Sequence, residues 1–293
     1  TIVRSNGNAF CVLSLHAINL TRPIGVKMEA VHEVSSNTGE CVLCKEQKLL
    51  QKSHLMPKWA YKRLQTTDGS REDPIEVKNG SALYTSRQVT KHLLCEDCER
   101  LFCIREDYVA GLTQTDPEGL LKILALVTRY EPPLTVVELN SEIDVESIVY
   151  FAASVIWRAC VMTGECMLGA QYELAFRRYL LGEAQLSPEV SMNMVILEPS
   201  SLLAHPERCF TFPSSTKIPT AWLHGFTVCG LMFRCFVGGG IDPKLKMVSL
   251  SRAEGAKYAL LSKPEEIGDF REIHKVAAAA TPRGKLALLG IWK

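Results

Sequence analysis

Apolar positions recur along this chain with two different periods, and the change of period divides it. Between residues 112 and 184 the spacing is three to four. "SEIDVESIVYFAASVIWRACV" puts Ile148, Phe151, Val155 and Ala159 along one face of a predicted helix, behind a Ser-x-x-Asp cap. "DPEGLLKILALVTRY" reads as another helix, with Pro117 near its start and Pro132 and Pro133 beyond its end. "QYELAFRRYLLG" reads as a third, closed by Gly182. From 190 the pattern shortens. "VSMNMVIL", "RCFTF", "FTVCGLMFRCFVGG", "KMVSL" and "KYALL" are apolar or alternating runs between turn residues and read as strands. "PEEIGDFREIHKVAAAA" (264–280) returns to helical spacing.

The first third is less regular. "TTDGSREDPIEVKNGS" (66–81) reads as loop from its Gly, Pro, Asp and Asn content. "AFCVLSLHAINL" (9–20) is the nearest approach to a signal-peptide core, but His16 and Asn19 interrupt it and no small-residue cleavage site follows before Arg22. Met28 is an alternative start, which would make 1–27 an upstream extension. No apolar run reaches the roughly 18 to 20 residues that span a bilayer, so no membrane association is expected. The expected organisation is an uncertain extension (1–36), a small module (37–111) and an α+β domain (112–293). That domain is helical over 112–184, strand-rich over 190–262, and helical again over 264–280.

Composition narrows the picture a little. Apolar residues make up 47% and charged residues 22%, the balance of a folded globular chain rather than a disordered one. The formal net charge of +1 means that any basic surface for nucleic acid must be local. Cys 11, an odd count without a disulfide-sized framework, suits a reducing compartment, and a cytoplasmic location is expected.

The cysteines carry the strongest chemical signal. Cys41 and Cys44 form one C-x-x-C in the turn-like "TGECVLCKEQ", and Cys95 and Cys98 form another at the start of a predicted helix, "EDCERLFCIREDY". Two residues between thiolates let both face one ion, and four thiolates close a tetrahedral site. A structural zinc is the expected occupant. A knuckle followed by a helix N-terminus is the geometry of a treble-clef zinc finger. The remaining cysteines (Cys11, Cys103, Cys160, Cys166, Cys209, Cys229 and Cys235) lie in apolar surroundings and read as core filler.

Between the pairs lies "QKSHLMPKW". C-x-x-C, then Ser-His-x-x-Pro, then "LLCEDCE" opening a helix resembles the HNH endonuclease superfamily, in particular bacterial HNH-like proteins of the "SHxxP … LLCxxCE" type. The resemblance covers about 37–110. It implies that His54 is the general base that activates water against a phosphodiester, and that a second ion, Mg2+ or Mn2+, stabilises the developing charge. Two positions depart from the pattern. Ser53 stands where the superfamily has an aspartate ligand, and Glu99 where it has a histidine. Glu99 can still bind a hard cation through oxygen. Glu106, two helical turns on, and His92 are further candidates for that second ion, and Asn79 is a weak one for the missing asparagine.

Lys45, Lys48, Lys52, Lys58, Lys62 and Arg63 crowd one stretch, with Trp59 and Tyr61 among them. Lys52, Lys58, Trp59, Lys62 and Arg63 are the candidate contacts to nucleic acid, DNA before RNA. The competing expectation is a solvated lysine-rich helix with its aromatics packed inward. Arg158 interrupts an apolar helix and calls for a buried ion pair. "FVGGGIDP" lacks the lysine and following helix of a phosphate loop. Two functions remain open: a zinc-stabilised HNH-like nuclease, whose C-terminal domain selects substrate or forms an oligomer, and a catalytically inactive zinc module that binds nucleic acid or protein.

Overall fold

The computed structural model describes residues 10–14, 37–67, 70–71, 73–130, 135–252 and 254–289. Within this range the protein is a mixed α+β structure with several sheets and seven α-helices. The Met28 start and the signal-like stretch lie outside it, apart from β1 (Phe10–Ser14), which pairs in parallel with a later strand, Ile75–Lys78.

The first region contains β2 (Thr38–Glu40), β3 (Gln47–His54) and α1 (Lys58–Leu64). A minimal ribbon follows, β4 (Thr66–Thr67) with β5 (Ser70–Arg71), and then β6 (Ile75–Lys78) and β7 (Ser81–Tyr84). The segment expected to be loop is therefore largely a hairpin. Asn79 and Gly80 turn it with φ of 50° and 70°, the left-handed pair that suits a tight two-residue connection. β8 (Thr90–Cys95) lies antiparallel to β3 and runs straight into α2 (Glu96–Leu112).

The middle of the chain departs most from expectation. "DPEGLLKILALVTRY" contains only one 3-10 turn, Lys122–Leu126, before β9 (Val127–Arg129) and β10 (Val136–Leu139). Gly119 adopts φ 82°, and the Asp116 carboxylate accepts the Leu120 amide at 2.8 Å, so the first turn closes on itself and cannot propagate. Of the three helices expected over 112–184, two form, α3 (Val145–Thr163) and α4 (Ala170–Leu180), the latter followed by Gly182 at φ 75°. The N-cap of α3 is Asp144, not Ser141; its carboxylate accepts the Ser147 amide at 3.0 Å.

α3 is not one-faced. Every residue from Ile148 to Ala159 is buried. By length and composition this helix is apolar enough to cross a membrane, contrary to the expectation that no such run exists, but 67% of it is buried inside the fold.

The strand-rich part is β11 (Val190–Leu197), β12 (Phe210–Ile218), β13 (Ala221–Val228) and β14 (Leu231–Val237), then α5 (Pro243–Met247) and β15 (Tyr258–Ser262). α6 (Gly268–Ala279), β16 (Thr281–Pro282) and α7 (Lys285–Leu289) finish the described chain. A seven-stranded sheet runs in the order β12-β13-β14-β11-β15-β10-β9. β11 is buried along its whole length because both faces of the sheet are covered there, which is why its sequence shows no alternation. "FTVCGLMFRCFVGG" is two strands, not one: Cys229 and Gly230 turn the chain with φ 45° and 90°. A Cβ on Gly230 would meet Leu121 at 2.5 Å. "KMVSL" is not a strand, since Lys246 and Met247 end α5, the short helix that does follow the glycine-rich loop.

Packing runs continuously past residue 111. Phe102 of α2 meets Tyr150 and Trp157 of α3 edge-on, with ring centroids 6.0 and 6.3 Å apart. Phe151 does the same against Phe233 of the sheet at 5.7 Å. The frame that carries β3, β8 and α2 thus rests on α3, and α3 on the sheet.

Candidate functional site

The knuckle is built by backbone bonds. Lys45 adopts φ 66° and donates to the Cys41 carbonyl at 2.8 Å, while the Cys41 amide donates to the Glu46 carbonyl at 2.8 Å. The Val42 amide bonds the Leu93 carbonyl on β8 at 3.1 Å, and Arg177 of α4 donates to the Leu43 carbonyl at 3.1 Å. Cys95 is the N-cap of α2 and Cys98 lies in its first turn. The four sulfurs, Cys41, Cys44, Cys95 and Cys98, lie within 4.8 Å of one another, with Cys44 and Cys95 at 3.9 Å.

This arrangement fits a zinc site. Four Zn–S bonds of 2.3 Å in a tetrahedron place sulfurs roughly 3.8 Å apart. The surrounding backbone already favours charge on one of the four sulfurs, that of Cys41. Burial raises the Cys41 thiol, but amides of Cys44, Cys95 and Leu43 outweigh it and hold it at about 7. One of them, the Cys95 amide, donates to Cys41 Sγ at 3.3 Å. Burial raises Cys44 and Cys98.

His54 ends β3, paired with Thr90 and half-buried. Its imidazole hydrogen-bonds the Gln88 side chain and lies 6.4 Å, centroid to centroid, from the buried ring of Tyr61, whose hydroxyl accepts the Val89 amide. Burial lowers the His54 pKa, against the Gln88 bond and with Lys58 adding to the effect, so the ring is neutral at pH 7. The preceding residue, Ser53, is fully buried and donates its hydroxyl to Glu99 Oε1 on α2.

No protein family, curated protein or solved structure matches this chain.

Glu106, one of the expected ion ligands, is held by Arg158: Nη2 donates to Glu106 Oε1 at 2.6 Å. The same guanidinium donates through Nη1 to the His54 carbonyl at 2.8 Å. The expected ion pair of Arg158 is thus present, and its partner is a candidate site residue. His92 sits on β8 opposite Lys52, with Nδ1 3.2 Å from the Leu50 carbonyl. Asn79 is the turn residue of the β6–β7 hairpin. Among the described residues, His54, His92, Glu99 and Glu106 do not bring three ligand atoms together as the cysteines do. With Glu106 bound to a guanidinium and Glu99 to a hydroxyl, the donor set does not fit a resident Mg2+ or Mn2+ ion.

The basic stretch divides. Lys52, Lys58 and Lys62 are exposed. Arg63 stacks over Trp59 at 5.0 Å and donates to the Thr113 carbonyl at 2.6 Å and the Ala110 carbonyl at 3.1 Å, closing the end of α2. Trp59 packs toward Phe151, and its Nε1 is buried without a hydrogen-bond partner. A cavity of about 530 Å³ opens beside Trp59, Arg63, Gln114 and Arg208.

Sequence reasoning missed Arg158 and Gln88 as neighbours of His54. Arg158 left a trace, a charge in an apolar helix. Gln88 left none, because its role depends on the return of the chain through β8.

Proposed function

We propose that residues 37–112 form an HNH-like treble-clef module that holds Zn2+ on Cys41, Cys44, Cys95 and Cys98 and hydrolyses phosphodiester bonds in nucleic acid. The observation that carries the proposal is one frame: a thiol knuckle, a strand ending in a neutral half-buried imidazole, and a helix opened by the second thiol pair with Glu99 beside that strand. Four sulfurs leave zinc no open position, so its contribution is a cross-link. His54 accepts the proton of a water whose oxygen bonds to phosphorus as the P–O ester bond breaks, and the departing alkoxide oxygen takes a proton from solvent water. Lys52, Lys58 and Lys62 supply positive charge to the strand being cut.

Purified protein should nick plasmid DNA or cleave RNA, and His54→Ala should abolish cleavage while zinc content and far-ultraviolet dichroism stay unchanged. Because burial depresses the imidazole, the acid limb of the rate profile should fall below the ordinary histidine pKa of about 6.5.

The Ser53–Glu99 and Arg158–Glu106 contacts favour a second reading, a module that binds nucleic acid or protein without cutting it. Retained nucleic-acid binding with no cleavage under any divalent ion would support this reading and remove the first.

A further inference from the structure

The region around His54 contains a cation of its own. Arg158 comes from α3, outside the thiol module, and is only 2% exposed. Its guanidinium is bonded on three sides: to the His54 carbonyl at 2.8 Å, to Glu106 Oε1 at 2.6 Å, and through Nε to the Ser154 carbonyl at 3.3 Å. Cζ lies 5.3 Å from the centroid of Phe102. A planar fork bonded on both arms has one orientation, and here that orientation ties the last residue of β3 to the acidic face of α2. The carboxylate that a divalent ion would need is already neutralised. An incoming ion would have to displace a buried guanidinium and leave it unpaired, which is strongly unfavourable. Glu99, the other carboxylate, would remain as a single ligand, and one carboxylate holds Mg2+ or Mn2+ weakly.

We infer that Arg158, through its pair with Glu106, takes the place of a divalent metal ion beside His54, and that this centre holds no such ion. The inference rests on the role proposed above for His54. Arg158 is too buried to touch substrate, so it is a positioning residue: it fixes the His54 backbone and neutralises Glu106.

The test is a Mn2+ titration of the zinc-loaded full chain, with free Mn2+ read by electron paramagnetic resonance. Wild-type protein should take up no stoichiometric Mn2+ below millimolar concentration. Arg158→Gln releases Glu106 and should gain Mn2+ affinity by on the order of tenfold or more, a gain that adding Glu106→Gln should remove. Arg158→Lys, which keeps a charge to pair with Glu106, should take up no more Mn2+ than wild type. A purely structural arginine would produce no such gain. Micromolar Mn2+ binding by wild type, weakened by Glu106→Gln, would overturn the inference, and this measurement decides even if Arg158→Gln does not fold. Absence of cleavage under all conditions would sink the hydrolase proposal alone, because the titration reads the ion and not the reaction.

Discussion

Cys41 and Cys209 are the same residue in two regions of one protein, and their surroundings push them in opposite directions. Cys41 is held at about 7 because backbone amides outweigh burial. Cys209, in the sheet region, is pushed up to about 12 by burial, and so are Cys166 and Cys229. The knuckle region is organised around polar sulfur and the amides that point at it. The sheet region is organised around apolar contact, with Phe226 stacked on Phe233 at 5.1 Å and both against Phe151. Burial raises Cys44 and Cys98 as it raises Cys209, so what marks the ligands is the convergence of four sulfurs within 4.8 Å, with amides turned toward Cys41.

The largest effect that could break this contrast is loss of the thiol cage. Structural zinc in small modules is worth about 10 to 16 kcal/mol of apparent binding free energy, most of it expressed as folding. Cys41→Ser or Cys95→Ser should lose the metal and unfold residues 37–112, as measured by zinc content and circular dichroism. Cys209→Ala should keep full zinc. Retention of stoichiometric zinc by both serine variants would remove the distinction.

Next comes the apolar side. Phe151 is fully buried between α1 and the sheet, and Phe151→Ala should cost about 3 to 5 kcal/mol in urea unfolding. A smaller, pH-dependent effect comes from His224. It is fully buried, its Nδ1 is 2.6 Å from Ser215 Oγ, its Nε2 has no partner, and burial lowers its pKa to about 4. The unfolded state therefore binds the extra proton. The associated stability is complete above about pH 6.5 and is lost as pH falls toward 4, by about 3 kcal/mol. His224→Gln should unfold with a shallower dependence over that window; equal slopes would show that the buried ring does not titrate. The smallest effect is at the α3 cap, where Asp144→Ala should cost about 1 kcal/mol, measured as a shift in thermal midpoint.

Much of the contrast was legible in the sequence, because the signals are local. The spacing of Cys41 with Cys44 and of Cys95 with Cys98 marked the candidate ligands, and the later helices and most sheet strands followed from period. The failures have physical causes. The 115–129 stretch has helical spacing, but the Asp116–Gly119 turn and the sheet edge captured it. The 66–81 insert carries turn residues because it is a hairpin, and Asn79 and Gly80 have the same composition in a hairpin turn as in an open loop. The Arg158–His54 contact joins residues a hundred positions apart, a distance over which neither period nor spacing carries information.

The burial of α3 has a consequence for how the chain is made. Synthesis from the N-terminus delivers this oily rod well before β13 and β14, whose rings cover Phe151, have left the ribosome. Until the polymerised chain passes Val237, the apolar side chains of this helix lack the sheet that later covers them.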